Sequence, residues 1–204
     1  MNWLAHVFLS PPSIHYQLGN LLADTTKGRC WEGAPDEVCD GMRLHLAIDA
    51  FTDAHPDVLA SKALLASKGA LKGVVIDVLY DHFLSIHWER YSRISRERFL
   101  RRFRMHARKV CYRYPPRPKE VVQHVIASRQ LQSYASVDGV KHAFMRIDNR
   151  LSPRVRRKDG MMGYLPLIRL HRETLEKRFL HFFPDLMAYV AAQAPYADFS
   201  HWKR

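Results

Sequence analysis

The stretch Arg43-Leu44-His45-Leu46-Ala47-Ile48-Asp49-Ala50-Phe51-Thr52-Asp53 sets one imidazole and two carboxylates at steps of four residues. An α-helix advances about 100° per residue, so a step of four moves only about 40° around its axis. A helix here stacks His45, Asp49 and Asp53 on one face. Leu44, Ile48 and Phe51 fall on the neighbouring face, where they can enter a core. The polar trio therefore sits at the margin of a buried side. His and Asp are residues that hold divalent metals. An amphipathic helix with an ordinary ionic face accounts for the same spacing.

Helical periodicity extends over most of the 204 residues, and glycine is scarce at 9. The expected architecture is all-α, a single-domain helical bundle over residues 1–192 with a loosely held tail at 193–204. A short apolar segment at 2–9 carries His6 and ends at Pro11-Pro12. A helix from Ile14 to about Lys27 puts Leu18, Leu21, Leu22 and Thr25 on its apolar face, and Asn20, Asp24 and Lys27 together on another. Pro35-Asp36 opens a helix to about Asp53, and Pro56 breaks the chain after His55. A short helix at 57–67 should close near Lys68-Gly69. Residues 72–88 carry a broad apolar stripe of Val74, Val75, Val78, Leu79, His82, Phe83 and Ile86, bordered by Asp77 and Asp81. Buried aspartates need partners, either basic side chains or a metal. Further helices are expected at 95–112, 119–133 and 136–150, then a basic loop at 152–160, then one long helix from about Met162 to Ala192, kinked or divided at Pro184.

The formal net charge is +12. So basic a balance favours acidic partners: nucleic acid, an anionic surface, a phosphorylated small molecule or an acidic protein. The three cysteines, Cys30, Cys39 and Cys111, lack C-x-x-C spacing and are expected to be reduced thiols in a cytoplasmic protein. The first ten residues lack the charge pattern of a signal peptide, and no apolar run is long enough to cross a membrane.

Residues with metal-ligand chemistry gather in the first 90 positions: His6, Asp24, His45, Asp49, Asp53, Asp77, Asp81 and His82. They come from four helical segments that could converge, as in metal-binding bundles. Oxygen-rich ligands with a few imidazoles suit Mn²⁺, Mg²⁺ or Fe²⁺ better than structural zinc. There is no G-x-S-x-G elbow, P-loop or G-x-G-x-x-G, so nucleophile and nucleotide-loop chemistries lose support.

Four motifs, in order, carry a resemblance: N-W-L-A-H-V-F-L at the start, G-N-L-L-A-D-T-T-K-G at 19–28, R-L-H-L-A-I-D-A-F-T-D at 43–53 followed by H-P, and D-V-L-Y-D-H-F-L at 77–84. With L-E-K-R-F-L-H-F-F-P-D-L at 175–186, they resemble the bacterial acyl carrier protein phosphodiesterase family. The resemblance implies a fold related to the HD-domain phosphohydrolases and a Mn²⁺-dependent enzyme. The implied reaction hydrolyses the phosphodiester between 4′-phosphopantetheine and a serine of holo-acyl carrier protein. Carried over, it implies metal-binding roles for Asp24, His45, Asp49, Asp81, His82 and His6, with Asp77 among the catalytic groups and Asp53 as a further candidate. Two departures stand out. Leu46 replaces a basic residue often seen after the motif histidine, and Thr25-Thr26 stand in a motif that often reads D-F-V-K-G. Asn20, Lys27 and Arg43 are the expected substrate contacts. Arg154, Arg156, Arg157 and Lys158, or the arginines around 98–108, are expected to dock the acidic carrier protein. Nucleic acid binding and membrane insertion are not expected. Two other readings stay open: a metal phosphohydrolase acting on a small phosphoester or nucleotide, and a basic helical nucleic-acid-binding protein lacking the usual motifs.

Overall fold

In the computed structural model, which describes residues 1–65 and 69–203, the chain is all-helical. The helices are α1 (Trp3–Leu9), α2 (Ile14–Thr26), α3 (Asp36–Ala54), α4 (Pro56–Leu65), α5 (Lys72–Ile86), α6 (Trp88–Tyr91) and α7 (Arg96–Val110). There follow α8 (Pro116–Ala127), α9 (Gln130–Ser133), α10 (Val137–Asp148), α11 (Pro153–Asp159), α12 (Leu165–Leu170) and α13 (Arg172–Gln193). The expected stop of the fourth helix at Lys68 lies outside the described residues.

Local chemistry sets several of these boundaries. Ser13 accepts from the Tyr16 N–H at the start of α2, and Lys27 ends that helix in the left-handed region at φ 54°, with Gly28 following at φ 68°. Pro56 ends α3 and opens α4 at its first position. On α7, Phe99, Leu100, Phe103 and Ala107 are buried while the arginines face outward.

The tightest pairing is α2 against α3. Gly19 and Gly41 let the two backbones touch: a Cβ on Gly19 would lie 2.1 Å from the Val38 carbonyl oxygen, and one on Gly41 would lie 2.2 Å from that of Tyr16. The close approach brings Asn20 and Asp24 of α2 against His45 of α3. α1 packs on α2, α5 packs on α1, α4 and α13, and α13 packs on α3 with Phe179, Phe182 and Phe183 fully buried.

Four expectations are corrected. The tail is not loose. Phe199, His201 and Trp202 are buried, and the ring N–H groups of His201 and Trp202 meet the Phe8 carbonyl at 2.8 and 3.1 Å. Aromatic burial and these bonds outweigh the cost of ordering a terminal segment. The basic segment expected as a loop is helix α11, because Ser152 caps it and Pro153 fits its first turn. The long C-terminal helix begins at Arg172 and runs unbroken through Pro184, preceded by a 3₁₀ turn and the short α12. Finally, Cys30 and Cys39 form a disulfide with Cα atoms 5.7 Å apart, because the loop after α2 folds back on the first turn of α3. Cys111 is free and buried. No described helix is long and apolar enough to cross a membrane.

Candidate metal centre

Asn20 organises the centre. Its side chain is fully buried, and its Nδ2 donates to the His6 carbonyl at 3.1 Å and to Ser10 Oγ at 2.9 Å. Its Oδ1 must therefore accept, and it takes the Nδ1–H of His6 at 2.7 Å. The Asn20 backbone carbonyl accepts the Nδ1–H of His45, also at 2.7 Å. One residue thus fixes the tautomer of both imidazoles, which stack with ring centroids 4.0 Å apart.

Both Nε2 atoms then face Asp49. His6 Nε2 lies 3.3 Å from Asp49 Oδ1, and His45 Nε2 lies 3.0 Å from Asp49 Oδ2. Asp24 Oδ1 reaches His45 Nε2 at 3.2 Å from the solvent side, its side chain 78% exposed. The Met1 carbonyl oxygen stands 3.1 Å from His6 Nε2. The buried α-amine of Met1 closes the inner wall, 3.2 Å from Asp49 and 3.3 Å from Asp77.

The charges divide unevenly. Burial works against a charge on His45, but its bonds to Asp24 and Asp49 win and push its pKa up to about 9. Burial and the neighbouring His45 hold His6 below the ordinary histidine value. Burial opposes ionisation of Asp49, yet the bond to His45 and the charge of the Met1 amine keep its carboxyl well below the usual range, and the bond to His45 lowers that of Asp24. Burial likewise opposes charge on the Met1 amine, and Asp77 and Asp49 outweigh it, raising it to about 10.

A neutral His6 whose Nδ1 donates to Asn20 presents a bare Nε2 lone pair to Asp49 and to the Met1 carbonyl. Three acceptors then meet with no proton between them, which is an arrangement suited to a cation. One ligand atom each from His6, His45 and Asp49 lies within 4.8 Å of the others. A donor set of two imidazole nitrogens and a carboxylate, with Asp24 at its edge, fits a divalent transition ion. The Asn20 contacts supply the outer hydrogen bonds that such histidine ligands require.

Other expected residues lie elsewhere. Asp81 is fully buried, and its carboxylate accepts the Leu4 and Ala5 N–H groups at 2.8 and 3.0 Å, closing the open N-terminus of α1. Burial, only partly offset by these two bonds, raises its pKa to about 7. His82 donates from Nδ1 to the Tyr134 carbonyl at 2.7 Å, and burial lowers its pKa. The structure brings neither into the cluster with His6, His45 and Asp49. Asp53 pairs at the surface with Lys62 at 2.7 Å. Asn20, expected to touch substrate, has its side chain spent inside the wall. Arg43 pairs with Asp40 on the outer face of α3, and Lys27 is exposed at the end of α2. The α-amine of Met1 has no spacing pattern that could have pointed to it.

The profile of the family described as acyl carrier protein phosphodiesterase matches residues 1–186. The chain belongs to the acyl carrier protein phosphodiesterase family. A curated relative of that name from Enterobacter sp. (strain 638) is 30% identical over 189 residues, covering 92% of this chain and 96% of its own. Another from Escherichia coli (strain ATCC 8739) is 30% identical over 199 residues, covering 95% of this chain and all of its own. One from Salmonella paratyphi A is 29% identical over 196 residues. No solved structure matches the chain.

Proposed function

We propose that the chain is a divalent-metal-dependent hydrolase that cleaves the phosphodiester between 4′-phosphopantetheine and the serine of holo-acyl carrier protein. Family membership supports the reaction. The observation that carries the site is the convergence of His6 Nε2, His45 Nε2 and the Asp49 carboxylate around one point, with both Nδ1 atoms tied to Asn20.

His6, His45 and Asp49 would hold the metal, and Mn²⁺ is the ion we propose, with Mg²⁺ or Fe²⁺ as alternatives. The ion would supply Lewis-acid polarisation of the phosphoryl oxygens and a bound water of lowered pKa. Asp24 stands at the open edge, where its Oδ1 can take a proton from the attacking water. Asp77, bound to the Met1 amine, keeps Asp49 company at the inner wall and orients it through that shared cation. Hydrolysis forms a new P–O bond from water and breaks the P–O bond to the serine oxygen, which leaves with a proton.

The acidic carrier protein is proposed to dock against helix α11. Arg156, Arg157 and Lys158 line a cleft of about 660 Å³ that Met145, Met162 and Leu167 also line. Arg154 is exposed on the same helix. Cytoplasmic action on this carrier belongs to the same proposal.

The test is to incubate the chain with holo carrier protein and Mn²⁺ and follow the carrier by mass. Loss of the phosphopantetheine mass is expected, and His45→Ala should abolish it while the helical signal persists. A folded, metal-supplied protein that leaves the carrier intact sinks the proposal.

A further inference from the structure

A second cavity opens beside the cluster. It holds about 300 Å³ and is lined by Trp3, Thr25, Glu120, Val121, His124 and Arg150. Two of its lining residues neighbour residues of the metal centre along the chain. Thr25 follows Asp24 on α2, and Trp3 is two residues from Met1, whose amine meets Asp49 and Asp77. Trp3, Thr25 and Val121 are half-buried and form the floor, while Glu120, His124 and Arg150 are exposed around the rim.

The mix of groups selects a kind of ligand. A bare phosphate would meet a rim carboxylate in Glu120, so a simple anion site is disfavoured. A neutral arm of amides and hydroxyls suits all of these groups. Arg150 and His124 donate to carbonyl oxygens, Glu120 accepts from amide N–H or hydroxyl groups, and the Trp3 indole and Val121 pack against branched methyls. The volume lies at the lower end of the range of about 300–1,000 Å³ in which small ligands are held.

We propose that this cavity receives the pantetheine arm of the substrate while the scissile phosphate lies at the His6–His45–Asp49 cluster. The inference rests on the phosphodiesterase reading and deepens it. It assigns Trp3, Val121, His124, Glu120 and Arg150 to recognition of the arm. The cavity positions the phosphorus by holding the neutral end of the group that stays on it after cleavage.

Pantetheine, which lacks the phosphate, is the probe. Titrated into the full chain, it should bind and perturb tryptophan fluorescence, and the change should vanish in Trp3→Phe. Val121→Trp fills the floor and Arg150→Ala removes a rim donor. Each should weaken pantetheine binding by about tenfold or more and raise KM for holo carrier with kcat nearly unchanged. Both positions lie outside the fully buried core, and unchanged melting of the variants checks their folding. Wild type that cleaves holo carrier, together with folded variants that bind pantetheine and substrate as wild type does, overturns this inference and leaves the phosphodiesterase reading standing. Wild type that leaves holo carrier intact overturns both.

Discussion

At the scale of single residues, Asn20 and Asp81 are both buried polar groups, yet they act on different objects. Asn20 orients two proposed ligands. Asn20→Ala strands the His6 Nδ1–H and should weaken Mn²⁺ binding by about 10- to 100-fold, as losses of outer-shell partners do, which a competitive metal titration reads directly. Asp81 serves the backbone of α1. Asp81→Ala leaves two buried N–H groups without acceptors and should cost roughly 2–4 kcal/mol in a urea melt. Asp81→Asn keeps one acceptor, and metal affinity per folded molecule should stay unchanged. A collapse of affinity in Asp81→Asn would return that residue to the ligand set. Protonation gives a further test. The raised pKa of His45 contributes stability fully present below its ordinary 6.5 and lost as pH rises through about 9. The lowered carboxyls of Asp24 and Asp49 contribute stability present above their ordinary 3.8 and lost as pH falls. Metal-free protein should therefore be most stable between these limits, and should lose about 2 kcal/mol from pH 6.5 to pH 9, after allowing for the exposure of Asp24. Thermal melts in EDTA should record that decline, and Mn²⁺, taking the place of the proton on Nε2, should flatten it.

At the scale of elements, the α2–α3 contact decides whether the cluster exists. Gly19→Ala puts a methyl into the Val38 carbonyl, with backbone on both sides and no side chain to yield. The substitution should cost about 1–3 kcal/mol or more, and it should separate Asp24 from His45, so Mn²⁺ affinity falls together with stability. A variant that melts as wild type would show that the helices can part without strain. Periodicity made these helices readable: His45 and Asp49 at a step of four, the apolar positions of α5, and the proline at the head of α4 all lie within one helical turn of the signals that define them. What eluded the sequence was partnership between elements. Asp81 resembles a ligand beside His82, but its oxygens meet the first turn of α1, 76 and 77 residues earlier in the chain. His6 stood in a segment too short for its face to be read, and only the packing of α1 on α2 turns it toward Asp49.

At the scale of the molecule, net charge and the placement of the termini matter most. A basic protein of charge +12 acting on an acidic carrier should show kcat/KM falling steeply with added salt, since screening lengths drop from about 30 Å at 0.01 M to about 10 Å at 0.1 M. Neutralising Arg156 and Arg157 together should flatten that dependence while kcat holds, as initial rates over a salt series would reveal. The basic composition announced an acidic partner but could not say which face meets it, because surface arginines occur on α7 and α11 alike. The disulfide was equally hidden, since a separation of nine residues carries no spacing rule and only the fold brings Cys30 to Cys39. The seam between His201, Trp202 and the Phe8 carbonyl reaches further than static packing. Residues 199–203 come far later in the chain than α1, and they lock the helix that carries His6. During synthesis, His45 and Asp49 emerge long before residues 199–203 can seat that helix. A nascent chain that has not yet made residues 199–203 therefore carries an unfinished pocket, with the helix of His6 still unseated.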